Sequence, residues 1–193
     1  RSMRESPVSR TLFFSDDSPM LESFALQNGW TLRCLTDDPD KPSGVSGDLS
    51  AEVPGCVHTD LLRHGLIPDP YLDRNEPKVL WISRCDWRYD CRFDAPSPWL
   101  ARDAVDLCFD GLDTVGTITL NDVELGSVQN MHRRYRFDVK RLLREKGNHL
   151  RIDFRAPIPA AEEAEQRYGA LPHTGHGSND VKPPHNMLRK EAC

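Results

Sequence analysis

The feature that most constrains the fold is the alternation of apolar and charged residues from Cys85 to Phe93. Every odd-numbered residue in this run is apolar, and every even-numbered residue is charged. Successive side chains of a β-strand point to opposite faces of a sheet, so the pattern predicts a strand with one buried face and one wet face. The buried face then needs a second layer to cover it.

The same period of two recurs in shorter segments along the chain. These segments are Val105–Phe109, Ile118–Leu120, Tyr135–Val139 and Leu150–Phe154. Asn121-Asp122 is a turn signal between two short strands. Trp30, which follows Gly29, is expected to begin another strand and to lie in the core, as is Trp87.

Helical segments are few and short. We expect short helices at His58–His64, stopped by Gly65, and at Ala160–Tyr168, and a single short helical turn at Lys140–Lys146. Many short strands with so few helices predict an all-β fold, a β-sandwich, rather than a parallel sheet with crossover helices.

The pattern also divides the chain. Residues 1–22 are polar and are expected to form a flexible N-terminal segment, whereas residues 23–193 are expected to form the sandwich domain. Alternation stops after Phe154, and residues 170–184 have the His, Gly, Pro and Asn content of a loop. We therefore expect a sandwich that is truncated at its C-terminal end.

Composition narrows the class of protein. The chain has 193 residues, 38% of them hydrophobic and 28% charged, with a net charge of −5. Mild acidity argues against nucleic acid or an anionic membrane as a partner. No apolar run approaches the roughly 20 residues of a transmembrane helix, and no secretory signal pattern is seen at the N-terminus. Six cysteines without a Cys-x-x-Cys pair predict free thiols and a cytoplasmic location.

The sequence contains no strong motif for catalysis or metal binding. Acid–base catalysis by paired carboxylates needs two groups at a set separation. The sequence spacing of the acidic residues does not show that any two of them face each other. Asp110 and Asp113 are expected to serve a turn, and Asn75-Glu76 is expected to be a loop pair. The histidines lack the spacing of metal ligands, so no metal site is predicted.

Eight short blocks in a fixed order carry a resemblance to a known family. They are N-G-W from Asn28, V-P-G-C-V-H from Val53, G-L-I-P-D-P-Y from Gly65, W-I-S-R-C-D-W-R-Y from Trp81, F-D-G-L-D-T-V from Phe109, L-N-D-V-E-L-G from Leu120, N-M-H-R-R-Y-R-F-D-V from Asn130 and N-M-L-R-K from Asn186. Across residues 26–193 they resemble the N-terminal domain of β-mannosidases, in family 2 of the glycoside hydrolases.

The resemblance implies a jelly-roll-like (galactose-binding-like) β-sandwich. Both catalytic glutamates of the family belong to a later barrel domain, so it implies no catalytic residue in this chain and no cofactor. Asn186, Arg189 and Lys190 match positions that lead into a sugar-facing loop. They are expected to bind substrate, or else to hold that loop through hydrogen bonds. The segment Val53–Glu76 is expected to pack against the sandwich.

The function implied is that of the non-catalytic N-terminal domain of an exo-acting retaining β-mannosidase, which hydrolyses terminal β-D-mannose. Its partners would be β-mannosides or manno-oligosaccharides and the remaining domains of the same polypeptide. The chain alone is expected to be inactive. Two alternatives stay open: a stand-alone carbohydrate-binding module, and the same domain from a family member that cleaves β-glucosaminides or β-galactosides.

Overall fold

The computed structural model describes residues 22–169 and folds them into two antiparallel sheets. The strands are β1 Trp30–Cys34, β2 Leu49–Ala51, β3 Trp87–Phe93, β4 Asp106–Phe109, β5 Gly116–Leu120, β6 Val123–Val128, β7 Tyr135–Asp138 and β8 Asn148–Phe154. The helices are α1 Val57–Arg63, α2 Glu76–Val79, a 3₁₀ turn Leu80–Arg84, α3 Ser97–Leu100 and α4 Pro157–Tyr168. The predicted all-β sandwich is confirmed.

The larger sheet has six strands in the order β2-β1-β3-β8-β5-β6. Strand β8, the last in sequence, lies in the middle and pairs with β3 on one side and β5 on the other. Tyr89 of β3 and Ile118 of β5 both lie opposite Ile152 of β8. The two halves of the sheet are therefore joined through a single strand.

The alternation from Cys85 to Phe93 is expressed as predicted. Trp87, Tyr89 and Cys91 are buried, whereas Arg88 and Asp90 lie on the opposite, wetter face of the sheet. Arg88 Nε lies 2.6 Å from Asp153 Oδ1 of β8, so the outer face is held by cross-strand ion pairs.

The inner face is covered by two separate structures. At one end, the segment from α1 to the 3₁₀ turn buries Leu61, Val79 and Trp81; of these, Leu61 belongs to Val53–Glu76, the segment expected to pack against the sandwich. At the other end lies a second sheet of only two strands, β4 and β7, whose Phe137 contacts Gly126 of β6. A gap is left between these two covers.

Two turns follow the predictions closely. Asn121 and Asp122 adopt φ values of 51° and 68° and join β5 to β6, the conformation that Asn and Asp tolerate in a tight hairpin. Helix α1 runs within one residue of its predicted bounds, and Gly65 stops it with a φ of 66°.

The segment Lys140–Lys146, predicted to form a single helical turn, contains one such turn at its start and is irregular after it. The amides of Leu142 and Leu143 both donate to Val139 O, and the side chain of Asn148 bonds both backbone groups of Arg144. Those bonds replace the ladder that would continue a helix.

Other helices differ from the predictions in extent. Helix α4 begins at Pro157 rather than at Ala160, since proline is well suited to the first helical position. The short helices α2 and α3 and the 3₁₀ turn were not predicted, because four or five residues are too few to show a helical period.

Candidate functional site: an apolar groove over the large sheet

An open groove runs across the inner face of the large sheet, between its two covers. Its volume is about 1380 Å³. The side chains of Trp87, Tyr89, Leu150, Ile152 and Phe154, from the central strands β3 and β8, contribute to its floor. The floor is therefore largely apolar, and it continues the hydrophobic core of the domain.

Two walls border this groove. One wall is formed by residues 22–27 and by the loop Val53–Cys56 that leads into α1. Trp30 Nε1 donates to Leu26 O at 2.7 Å, which holds the first of these segments against the sheet. The other wall is formed by β4 and the loop after it, residues 110–113.

Carboxylates in the second wall have structural partners. Asp106 pairs with Arg136 of β7, and Asp110 Oδ1 lies 3.2 Å from Arg134 Nε. Asp113 accepts a hydrogen bond from Thr114 Oγ1. These contacts agree with the predicted turn role of Asp110 and Asp113.

The segment Val53–Glu76 contains a buried carboxylate that sequence reasoning did not single out. Asp60 of α1 is fully buried, and its Oδ1 accepts from Glu52 N at 3.1 Å and from Arg63 Nη2 at 2.8 Å. Tyr89 Oη lies 3.5 Å from Oδ2. Burial raises the pKa of Asp60, against the opposing effect of these donors. An acidic residue directly before Leu61 and Leu62 on a short helix was the available signal.

Asp60 and its neighbours on α1 connect this helix to β2. Arg63 reaches Glu52 Oε1 at 2.7 Å, and His64 Nε2 lies 2.9 Å from Ser50 O, so α1 is fastened to β2 and to the turn that follows it. The carboxylate is thus a positioning group for the wall of the groove.

The remaining polar residues of this segment hold turns. Asn75 Nδ2 donates to Asp69 O at 3.0 Å, and Asn75 Oδ1 accepts from Lys78 Nζ at 2.9 Å. Glu76 begins α2, so the expected loop extends only to Asn75. The pair lies outside the residues that line the groove.

Asn186, Arg189 and Lys190, the three predicted substrate-binding residues, lie outside the described residues 22–169. Their role stays a prediction. Within the described range, no three His, Cys, Asp or Glu side chains converge on a position that could hold a metal ion. In the same range, no helix is both long and apolar enough to cross a membrane.

Comparison with known proteins identifies the domain. Residues 30–193 match the family model described as "Glycosyl hydrolase 2 galactose-binding domain-like". The chain is 34% identical to the β-mannosidase of Rattus norvegicus over 174 residues, which is 89% of this chain and 19% of the relative. It is 38% identical to β-mannosidase B of Thermothelomyces thermophilus over 129 residues, 67% of this chain and 14% of the relative.

A solved structure agrees with the sequence matches. The crystal structure of the β-D-mannosidase from Dictyoglomus thermophilum aligns with a TM-score of 0.70 and 35% identity, over 79% of this chain and 18% of that one. The chain thus spans less than a fifth of the length of these relatives. It belongs to the galactose-binding-like N-terminal domains of glycoside hydrolase family 2.

Proposed function

We propose that this chain is the non-catalytic N-terminal domain of an exo-acting retaining β-mannosidase that hydrolyses terminal β-D-mannose. The observation that carries the proposal is the 34% identity to a β-mannosidase over 89% of this chain. The similarity to the D. thermophilum β-D-mannosidase fold supports it. In such an enzyme the reaction would use two carboxyl groups supplied by another part of the polypeptide.

A domain exchange tests the proposal. In the D. thermophilum enzyme, the residues that align with this chain are replaced by this chain, and hydrolysis of 4-nitrophenyl β-D-mannoside is measured. We expect the hybrid to hydrolyse the mannoside and the 193-residue chain alone to be inactive. Hydrolysis by the chain alone would contradict the proposal, as would a folded hybrid without activity.

Sugar titration separates this proposal from a stand-alone carbohydrate-binding module. Mannose, galactose, N-acetylglucosamine and manno-oligosaccharides are titrated into the chain by calorimetry. The floor of the groove is largely apolar, so we expect no binding at millimolar concentrations. Saturable binding of any of these sugars would instead favour a binding module.

We also propose that Asn186, Arg189 and Lys190 line the mouth of the sugar pocket of the whole enzyme. Arg and Asn side chains supply the directional donors that sugar hydroxyls require, which supports this role. In the active hybrid, R189A should raise KM for the mannoside and leave the melting temperature unchanged. A lower melting temperature with an unchanged KM would show that Arg189 only holds the loop.

The cytoplasmic location also stays a proposal, and it is supported by the scattered cysteines. The five described cysteines are free thiols, the state that a reducing compartment maintains. Fractionation of cells that make the full polypeptide tests it, and recovery with secreted proteins would contradict it.

A further inference from the structure

Two cysteines lie side by side where β1 ends and β3 begins. Cys34 is the last residue of β1 and lies opposite Trp87 of β3. Cys85 lies two residues before Trp87 in extended backbone, with φ −104° and ψ 142°. The hydrogen bond from Leu35 N to Asp86 O, 2.9 Å long, continues the pairing of the two chain segments. Because side chains two residues apart share a face of a strand, Cys34 and Cys85 are diagonal neighbours on the inner face of the large sheet.

The two sulfur atoms are in contact, and a cation lies beside them. The Cys85 thiol donates a hydrogen bond to Cys34 Sγ. Cys34 Sγ lies 3.3 Å from Thr36 O, and Lys41 Nζ donates to the same carbonyl oxygen at 2.8 Å. Two sulfur atoms and one ammonium group therefore form a cluster at this corner of the sheet, apart from the groove.

The two thiols of this cluster differ in accessibility and in charge. Cys34 is half-buried, whereas Cys85 is fully buried. The hydrogen bond from Cys85 and the charge of Lys41 lower the pKa of Cys34 to about 7, against the effects of burial and of Asp38. The contact with Cys34 and burial both raise the pKa of Cys85. Near neutral pH, Cys34 is thus the accessible thiolate of the pair, and Cys85 keeps its proton.

We propose that Cys34 and Cys85 form a reversible disulfide, in which Cys34 reacts first with a hydroperoxide and Cys85 then reacts with the product. The Cys34 thiolate attacks one oxygen of hydrogen peroxide, the O–O bond breaks, hydroxide leaves, and Cys34 becomes a sulfenic acid. The Cys85 sulfur then attacks Cys34 Sγ and displaces the hydroxyl group, which takes the Cys85 proton and leaves as water. The two sulfur atoms together lose two electrons, and the peroxide gains them.

Oxidation of Cys34 favours the second step of this reaction. The negative charge of Cys34 is one of the causes that hold the proton on Cys85. A sulfenic acid is neutral, so this effect is lost when Cys34 is oxidised, and the thiolate character of Cys85 rises. Because the two sulfur atoms already touch, Cys85 reaches the sulfenic acid before a second peroxide molecule does.

The disulfide would affect a large part of the domain. It would join residues 34 and 85 and close a loop that carries β2, α1 and the groove wall Val53–Cys56. Closing so long a loop removes conformational freedom from the unfolded chain, so the oxidised form should be the more stable one. The inference concerns the thiols of this domain alone and does not depend on the proposed function.

Oxidation of the reduced 193-residue chain by hydrogen peroxide near neutral pH tests the proposal. We expect the intact mass to fall by about 2 Da and peptide mass spectrometry to find Cys34 joined to Cys85. The melting temperature should rise by at least about 5 °C, and dithiothreitol should reverse these changes. C34A and C85A should abolish the bond, whereas C108A, which removes an exposed thiol, should keep it.

A chemical trap reads the intermediate of the reaction. Dimedone reacts with sulfenic acids, so it labels Cys34 only while Cys85 has not yet attacked. We expect dimedone on most of the oxidised Cys34 in C85A and on less than about a tenth of it in the native chain. Because the comparison is made per oxidised Cys34, a slower oxidation of Cys34 in C85A does not affect it.

Three results would overturn the proposal. The first is the lack of a Cys34–Cys85 bond in the native chain at peroxide concentrations that oxidise the exposed Cys56. The second is a bond from Cys34 or Cys85 to another cysteine, Cys193 included. The third is an equal share of dimedone-labelled Cys34 in the native chain and in C85A. The first two are read on the native chain, so they decide the proposal even where C85A does not fold.

Discussion

At the scale of single residues, Asp60 shows how a buried charge fastens a loop segment to a sheet. Replacing it with alanine would leave the Glu52 amide and the Arg63 guanidinium without their acceptor. We expect D60A to lower the free energy of unfolding by about 2–4 kcal/mol, measured by urea denaturation. The exposed Asp103 offers a control, since D103A should change it by less than about 0.5 kcal/mol. Equal effects of the two variants would contradict this role.

The raised pKa of Asp60 has a consequence for pH dependence. Between its ordinary pKa and its native one, the folded protein holds this proton and the unfolded chain does not. The contribution of Asp60 to stability therefore falls as pH rises through that window. We expect D60N, which cannot titrate, to lose less stability than the native sequence over the same window. A steeper loss in D60N would show that burial does not dominate at this site.

Cys34 is the second residue with an unusual environment. The neighbouring Cys85 thiol, which donates to the Cys34 thiolate, lowers the pKa of Cys34 to about 7. We expect the alkylation rate of Cys34 by iodoacetamide, followed by peptide mass spectrometry, to reach half its maximum near pH 7. C85A should move that midpoint to higher pH, whereas C91A, which removes the buried Cys91 thiol, should not. An unchanged midpoint in C85A would refute the interaction.

At the scale of elements, Asn148 and Asn121 join the hairpin β5–β6 to the start of β8. Asn148 is fully buried, and its Oδ1 accepts from Arg144 N at 2.9 Å and from Asn121 Nδ2 at 3.0 Å. N148A leaves these donors unpaired, so we expect it to lower the free energy of unfolding by about 2–4 kcal/mol. The exposed Asn130 is the control, and N130A should cost about 1 kcal/mol or less.

The same amides explain what the sequence could and could not reveal. Alternation predicted β3, β5 and β8 closely, because period two is a local property of the chain. The helical turn predicted at Lys140–Lys146 does not continue to the end of that segment, because the side chain of Asn148 bonds both backbone groups of Arg144, a contact that no local pattern reveals. Asp60 was overlooked for a similar reason, since its partners Glu52 and Tyr89 come together only in the folded domain.

At the scale of the whole molecule, the sequence identified the family more firmly than it identified a site. The ordered blocks from Asn28 onward predicted the β-mannosidase relationship, which the comparisons confirm. The groove could not be predicted, because it arises from the unequal sizes of two sheets whose strands interleave in sequence. The predicted substrate-binding residues, Asn186, Arg189 and Lys190, lie outside the described residues. Their role stays a prediction that the hybrid enzyme would test.

The central position of β8 sets the order in which the domain can assemble during synthesis. Strands β1 to β3 and the hairpin β5–β6 leave the ribosome first, but the two groups pair with each other only through β8. Arg88 must wait for Asp153, its partner across the ladder, 65 residues later. Contacts so distant in sequence slow folding. Until β8 emerges, the apolar faces of both halves lack the strand that joins them, and exposed apolar surface and unpaired strand edges of this kind make incomplete chains prone to aggregate.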